Sequence, residues 1–140
     1  SGFLHWGHDI SPEENQYQAG LNFAISFKKN VDFIGKKAVE KIKTQKLDKR
    51  FAMFTLKNNE PGYPLLLHEE PIYLDNKIIG KTTSGNYSFN FNKNLTFGYI
   101  KNDFSNKELI NKELFVEVEK QKHPISIQLQ ALKQTNFKNQ

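Results

Sequence analysis

Residues 70–100, EPIYLDNKIIGKTTSGNYSFNFNKNLTFGYI, constrain the fold more than any other stretch of this chain. The stretch holds three apolar runs: residues 71–74, a run opened by Ile78 and Ile79, and residues 95–100. Asp75-Asn76 divides the first two, and both side chains tolerate the left-handed backbone of a tight hairpin. Asn92, Lys93 and Asn94 divide the second from the third. Between the turns lies a β-rich segment with Thr82, Thr83, Tyr87, Phe89 and Phe91. Phe89 and Phe91 alternate with Asn90 and Asn92, the period of a strand with one buried face. Gly80 and Gly85 interrupt this pattern, which points to a bulge, a barrel corner or the close approach of another backbone or a ligand. Three antiparallel strands with corner glycines are the core of a small closed β-domain.

The rest of the chain is read around that core. Ser11-Pro12-Glu13-Glu14 has a helix-start pattern, with Ser11 as N-cap, Pro12 in the first helical position and Gly20 as the end. Residues 22–28, NFAISFK, place Phe23, Ile25 and Phe27 on one face and predict a strand. Residues 32–46 predict the one clear helix, because Ile34, Ala38 and Ile42 recur four apart with Val39 beside them and Asp32 as a cap. Residues 47–49 look like a hinge. From Arg50 onward the pattern is β: a strand over 51–56, a loop over 58–64, and a short strand or strand end over 65–67. After the central stretch, residues 105–108 match a capping box, 113–120 alternate as a strand, Gln121-Lys122 is a turn, and 123–132 carry Ile125, Ile127, Leu129 and Ala131 on one face. The last eight residues are polar and expected to fray. Six or seven strands after residue 50 suit a small barrel or sandwich.

The chain has 140 residues, one ordinary domain or a small domain with an appendage. It contains no cysteine, so it has neither a disulfide framework nor a thiolate metal site, and a reducing, cytoplasmic compartment is expected. No apolar run approaches the roughly 20 residues that span a bilayer, and no signal-peptide pattern opens the chain. The net charge of +5 is carried almost wholly by lysine, with Arg50 the sole arginine. Arginine is the residue usually recruited for phosphate and base recognition, so the charge reads as a solvated lysine-rich surface, with neither nucleic acid nor membrane as a partner.

Spacing alone supplies no catalytic residue. His5, His8 and Asp9 raise a metal site, but Trp6-Gly7 argues against a helix that would place both imidazoles on one face, and ordinary loop histidines are the better reading. Ser84 lacks the strand, turn and helix context of a nucleophile elbow. Thr82, Thr83 and Ser84 read as hydroxyls satisfying a bulged strand, and His68, Glu69 and Glu70 as a solvated turn.

The blocks GFLHWGHDIS, QAGLNFAI, DFIGKKAV, EPIYLDNKIIGKTTSGNYS and NLTFGYI, in that order, resemble the C-terminal end of the glycine cleavage T-protein superfamily. The closer similarity is to the folate-binding half of dimethylglycine and sarcosine dehydrogenases. The resemblance runs from Gly2 to about Leu132. It implies a mainly β fold, a six-stranded Greek-key barrel like that of elongation factors, preceded by a strand and one α-helix. It divides the chain into 1–31, the tail of a central folate-binding domain; 32–49, helix and hinge; 50–132, the barrel; and 133–140, a frayed tail. It implies transfer of a one-carbon unit from an amine to tetrahydrofolate, with FAD in an upstream domain. The partners are then upstream folate-binding and flavin domains and a small amine substrate. The abrupt start looks cut from something longer, just past a family glutamate that holds the pterin, so turnover by this chain alone is not expected. By position, Trp6, Gly7, His8 and Asp9 are implied to lie beside the folate. Trp6 suits stacking on a flat ring, or a domain interface, and Gly7 allows close backbone approach. Tyr73 matches an aromatic position facing the same ligand, or the barrel core. A glycine cleavage T-protein proper, a folate-dependent demethylase, and a basic β-barrel binding RNA or an acidic protein are the alternatives.

Overall fold

A computed structural model describes residues 2–29, 31–58, 60–130 and 132. Six strands are present: β1 (Lys49–Leu56), β2 (Pro71–Leu74), β3 (Lys77–Ser88), β4 (Lys93–Lys101), β5 (Leu114–Val118) and β6 (Gln121–Gln128). They close into a barrel in the order β1-β4-β3-β2-β5-β6, with β6 pairing back to β1 and every pair antiparallel. Strands β2, β3 and β4 follow one another through hairpins, and β1 returns beside β4, which is the Greek-key arrangement. The expected six-stranded barrel with one helix before it is therefore the observed fold.

Alternation builds the core. In β5, Leu114, Val116 and Val118 face inward while Phe115 and Glu117 do not. Phe54, Ile72, Ile79, Ile100 and Ile125 complete the interior from the other strands. The β2–β3 hairpin turns on Asp75 and Asn76, whose φ values of 48° and 63° are the left-handed pair that a two-residue turn needs. Packing on β3 is tight at Gly80, where a Cβ would sit 2.0 Å from the Tyr99 carbonyl oxygen, and at Gly85, where it would sit 2.4 Å from Leu66 Cβ. Both glycines mark close approach, as their place in a strand pattern predicts. Between β4 and β5, α2 (Asn106–Asn111) starts with the expected capping box, Ser105 and Glu108 bonding reciprocally, and buries Leu109.

The structure corrects several expectations. Residues 22–28 are not a strand: Asn22–Ala24 is one 3-10 turn and Phe23 is exposed, because alternation without a partner ladder satisfies no backbone groups. No helix follows Ser11; Glu14 accepts from the Ser11 amide (2.9 Å) and hydroxyl (2.7 Å), so the cap chemistry forms without the helix. The expected helix over 32–46 shrinks to α1 (Lys36–Thr44), since Gly35 at φ 86° occupies the N-cap and Asp32 bonds the Phe33 amide. None of α1 is buried. Residues 65–67 are not strand; Leu66 enters the core between exposed Leu65 and Leu67. Strand β3 stops at Ser88, and residues 89–92 form the turn into β4 with Phe89 exposed. The β5–β6 turn is Glu119-Lys120, both at positive φ, one pair earlier than Gln121-Lys122. β6 ends at Gln128, and the expectations for Ala131 and for residues 133–140 lie outside the described residues.

Candidate functional site

The segment before the helix is held on the barrel by polar side chains. At its start, Gly7 takes φ 90°, and the chain reverses on itself: the Gly7 amide donates to the Ile10 carbonyl (2.8 Å) and the Asp9 amide to the His5 carbonyl (2.8 Å). The Asp9 carboxylate closes the same turn by accepting from the His5 amide at 2.9 Å. Asp9 is only 2 % exposed. Its other oxygen accepts from the Thr83 hydroxyl and from the Ser84 hydroxyl (2.7 Å), and its carbonyl accepts from the Tyr99 hydroxyl at 2.8 Å. The Tyr99 phenol is pushed well above its ordinary pKa, first by burial and then by the charges of Glu14 and Asp9, so it remains a donor.

Lys49 at the start of β1 meets Glu14 at 2.6 Å and lies over the Tyr99 ring. Gln18 donates to Asp48 at 2.7 Å, and the Phe51 amide donates to the Gln18 carbonyl.

Two clefts open beside this junction. One, of about 790 Å³, is lined by Gly7, His8, Glu14, Lys49, Thr83 and Tyr99 among others. The second, of about 630 Å³, includes His5, His8, His68, Thr83, Tyr87 and Phe97 in its wall. His8 and Thr83 line both. The His8 ring lies 4.8 Å from that of His5 and 6.1 Å from that of His68. Among the described residues, no group of three His, Cys, Asp or Glu side chains is placed to hold a metal ion.

The residues picked out by sequence do not all meet. Gly7 and His8 line the clefts, while Asp9 lies behind them, buried. Trp6 is 66 % exposed and lines neither cleft. Tyr73 sits apart on β2, paired with Phe115 and with the Lys122 ammonium 4.3 Å over its ring; a hydrogen bond to Glu117 raises its pKa. Sequence reasoning missed Tyr99, Glu14, Gln18 and Lys49. It took the Thr83 and Ser84 hydroxyls as serving only their own strand, whereas they serve a carboxylate from the other end of the chain. Arg50 donates to Asn106 (2.7 Å) and to the Phe104 carbonyl (3.0 Å), so the sole arginine fastens the approach to α2.

Residues 49–132 match the family described as glycine cleavage T-protein C-terminal barrel domain. The chain is 31 % identical over 125 residues to the mitochondrial dimethylglycine dehydrogenase of Mus musculus, covering 89 % of this chain and 14 % of that protein. It is 33 % identical over 98 residues to an aminomethyltransferase of Symbiobacterium thermophilum, covering 68 % of this chain and 24 % of that one. The crystal structure of glycine cleavage system aminomethyltransferase T from Bartonella henselae superposes with a TM-score of 0.76 over 95 % of this chain and 36 % of that chain, at 22 % identity, a likeness of fold. The chain thus spans a minor part of each of these relatives. No helix among the described residues is long and apolar enough to cross a membrane.

Proposed function

The chain belongs to the glycine cleavage T-protein C-terminal barrel domain family, and from that premise we propose that it supplies one wall of a tetrahydrofolate site in a one-carbon transfer enzyme. In this reading the enzyme is of the dimethylglycine or sarcosine dehydrogenase kind. A methylene group passes from a small amine to tetrahydrofolate, while further domains of the same protein, a flavin domain among them, carry FAD and the rest of the pocket. The carrying observation is the Trp6–His8 turn held against the barrel beside two clefts by a buried carboxylate. Gly7 and His8 form that wall, and Trp6, exposed at its edge, is available to a flat ring brought by another domain. Tyr73 belongs to the site only if such a domain reaches β2. Support for the dehydrogenase kind is the 31 % identity along most of the chain. Transfer from an aminomethyl carrier is the second reading, favoured by the likeness to an aminomethyltransferase.

An RNA-binding barrel has less support, because the sole arginine, the residue type best suited to phosphate and base recognition, is bonded to Asn106 and to the Phe104 carbonyl.

One wall does not enclose a small ligand, which needs about 70–90 % of its surface covered. The chain alone is therefore expected to bind tetrahydrofolate weakly or not at all. The single tryptophan reports on this directly. Tetrahydrofolate is titrated into the chain alone and into the chain joined to the remaining domains of the protein that carries it, with Trp6 fluorescence corrected for ligand absorbance. Saturable quenching is expected only in the longer protein. Micromolar saturation by the chain alone would show a complete pocket here, and no binding by either would sink the folate reading. Salt-dependent retention on RNA would revive the rival.

A further inference from the structure

We propose that Asp9 is a positioning residue, the group that sets the Gly7–His8 wall, with His5 beside it, against the barrel, and not a ligand contact. That these residues form a wall rests on the functional reading above; the lock itself rests on geometry. Asp9 lines neither cleft, although His5, Gly7 and His8 around it do. Both of its carboxylate oxygens already have protein donors, His5 on one and Thr83 and Ser84 on the other. An ionised carboxylate accepts only, so these bonds occupy most of its capacity.

The barrel is shaped to make this grip. In a regular strand, Thr83 and Ser84 would point to opposite faces. The β3–β4 register shifts here: Thr82 pairs with Gly98 and Ser84 with Phe97, leaving Thr83 as an extra residue. The bulge brings both hydroxyls to one oxygen of Asp9. Gly98 permits it, because a Cβ there would meet the Lys81 carbonyl oxygen at 2.5 Å. Tyr99, next along β4, takes the Asp9 carbonyl, so two adjacent strands hold one residue of the turn. A buried carboxylate is tolerated only when satisfied, and the bonds that satisfy it also fix where His5, Gly7 and His8 stand.

A residue that merely stabilised the protein would affect all its backbone amides together. A positioning residue affects the turn first. Amide hydrogen exchange is measured on the 140-residue chain, as wild type, Asp9→Ala, Asp9→Asn and the double variant Thr83→Val/Ser84→Ala. In Asp9→Ala the amides of Gly7, Asp9 and Ile10 are expected to exchange at least about a hundredfold faster, the loss of two or three charge-assisted bonds, with β1 and β4 amides unchanged. Asp9→Asn keeps an acceptor for both hydroxyls but sets an amide donor against the His5 N–H, and is expected to give about a tenfold increase. The double variant should match Asp9→Ala. Unchanged turn exchange in Asp9→Ala, or turn and barrel accelerating by the same factor, would overturn the proposal. Tetrahydrofolate binding by the longer protein is a separate arm. Loss of binding in Asp9→Asn with turn protection intact would make Asp9 a ligand contact and also overturn it. If the wild type binds no folate, the functional reading fails and exchange alone decides the lock.

Discussion

The chain before β1 and the barrel after it are held by different forces. The barrel encloses a continuous apolar cluster, with Phe54, Ile72 and Val116 fully buried. In the described chain before β1, only Asp9, Gln18 and Ala19 are buried, and two of the three are polar. That segment leaves Phe3, Trp6, Phe23 and Ile34 in solvent and is fastened by Asp9, Glu14 and Gln18 to partners on or beside β1, β3 and β4. Apolar burial is non-directional and scales with area. Hydrogen bonds to a buried or half-buried charge fix one geometry and fail when one partner is lost. The barrel should thus unfold as a unit, and the leading segment should detach locally while the barrel stands.

The largest effect tests the barrel side. Phe54 is 0 % exposed on β1, which pairs with both β4 and β6. Phe54→Ala should cost about 3–5 kcal/mol by removing transferred area and leaving a cavity. Urea unfolding followed by far-UV circular dichroism should show a lower midpoint, with amides in all six strands losing protection together. A loss under about 1 kcal/mol, or one confined to β1, would mean the barrel is not one cooperative unit.

Acid tests the other side. Burial opposes ionisation of Glu14, but Lys49 and Ser11 together outweigh it and hold the carboxyl below its ordinary value. The hydrogen bond from Gln18 is the main cause that lowers Asp48. Both pKa values are lower folded than unfolded. Their contribution is therefore fully present above the ordinary carboxylate range near pH 4 and is lost as pH falls through the lowered values. Between about pH 5 and 3, protection at Leu21 and Phe51, whose amides bond the segment through Gln16 and Gln18 carbonyls, should fall before that of the barrel interior. Glu14→Gln with Asp48→Asn should flatten this dependence. Protection factors that hold steady relative to the barrel down to pH 3 would show that these carboxylates do not hold the segment.

The same division explains what could be read from sequence. Strands β1, β4 and β5 were legible because a sheet that closes on a core writes its period into the chain, and Asp75-Asn76 and Ser105-Glu108 were legible because turns and caps are local chemistry. Phe23, Ile25 and Phe27 carry the same period and form no strand, because a pattern shows which face is apolar but not whether a partner exists. The Asp9 grip was not legible, since it joins residues 74 and 75 positions apart and depends on a bulge whose trace in sequence is two hydroxyls before Gly85. The family resemblance brought Trp6 to Asp9 forward as one block. The structure divides that block, with His8 at the clefts, Trp6 outside them and Asp9 behind.

The smallest expected effect is the most informative about Trp6. The indole is 66 % exposed, and little of its apolar surface leaves water when the chain folds, so the burial that makes tryptophan valuable in a core is missing here. Trp6→Ala should change stability by no more than about 0.5 kcal/mol, as for other surface positions free of caps and buried pairs. Denaturant midpoints by circular dichroism, which needs no tryptophan signal, measure this directly. A loss above about 1 kcal/mol would mean the ring packs on the chain itself, and the contrast between an apolar barrel and a polar-pinned segment would weaken. A neutral result would leave a large aromatic ring that contributes nothing to folding, fixed in sequence beside a turn locked by a buried carboxylate. If the folate reading holds, the same Trp6→Ala change, made in the longer protein, should weaken tetrahydrofolate by roughly the 1–3 kcal/mol that stacking on an aromatic side chain contributes in other systems.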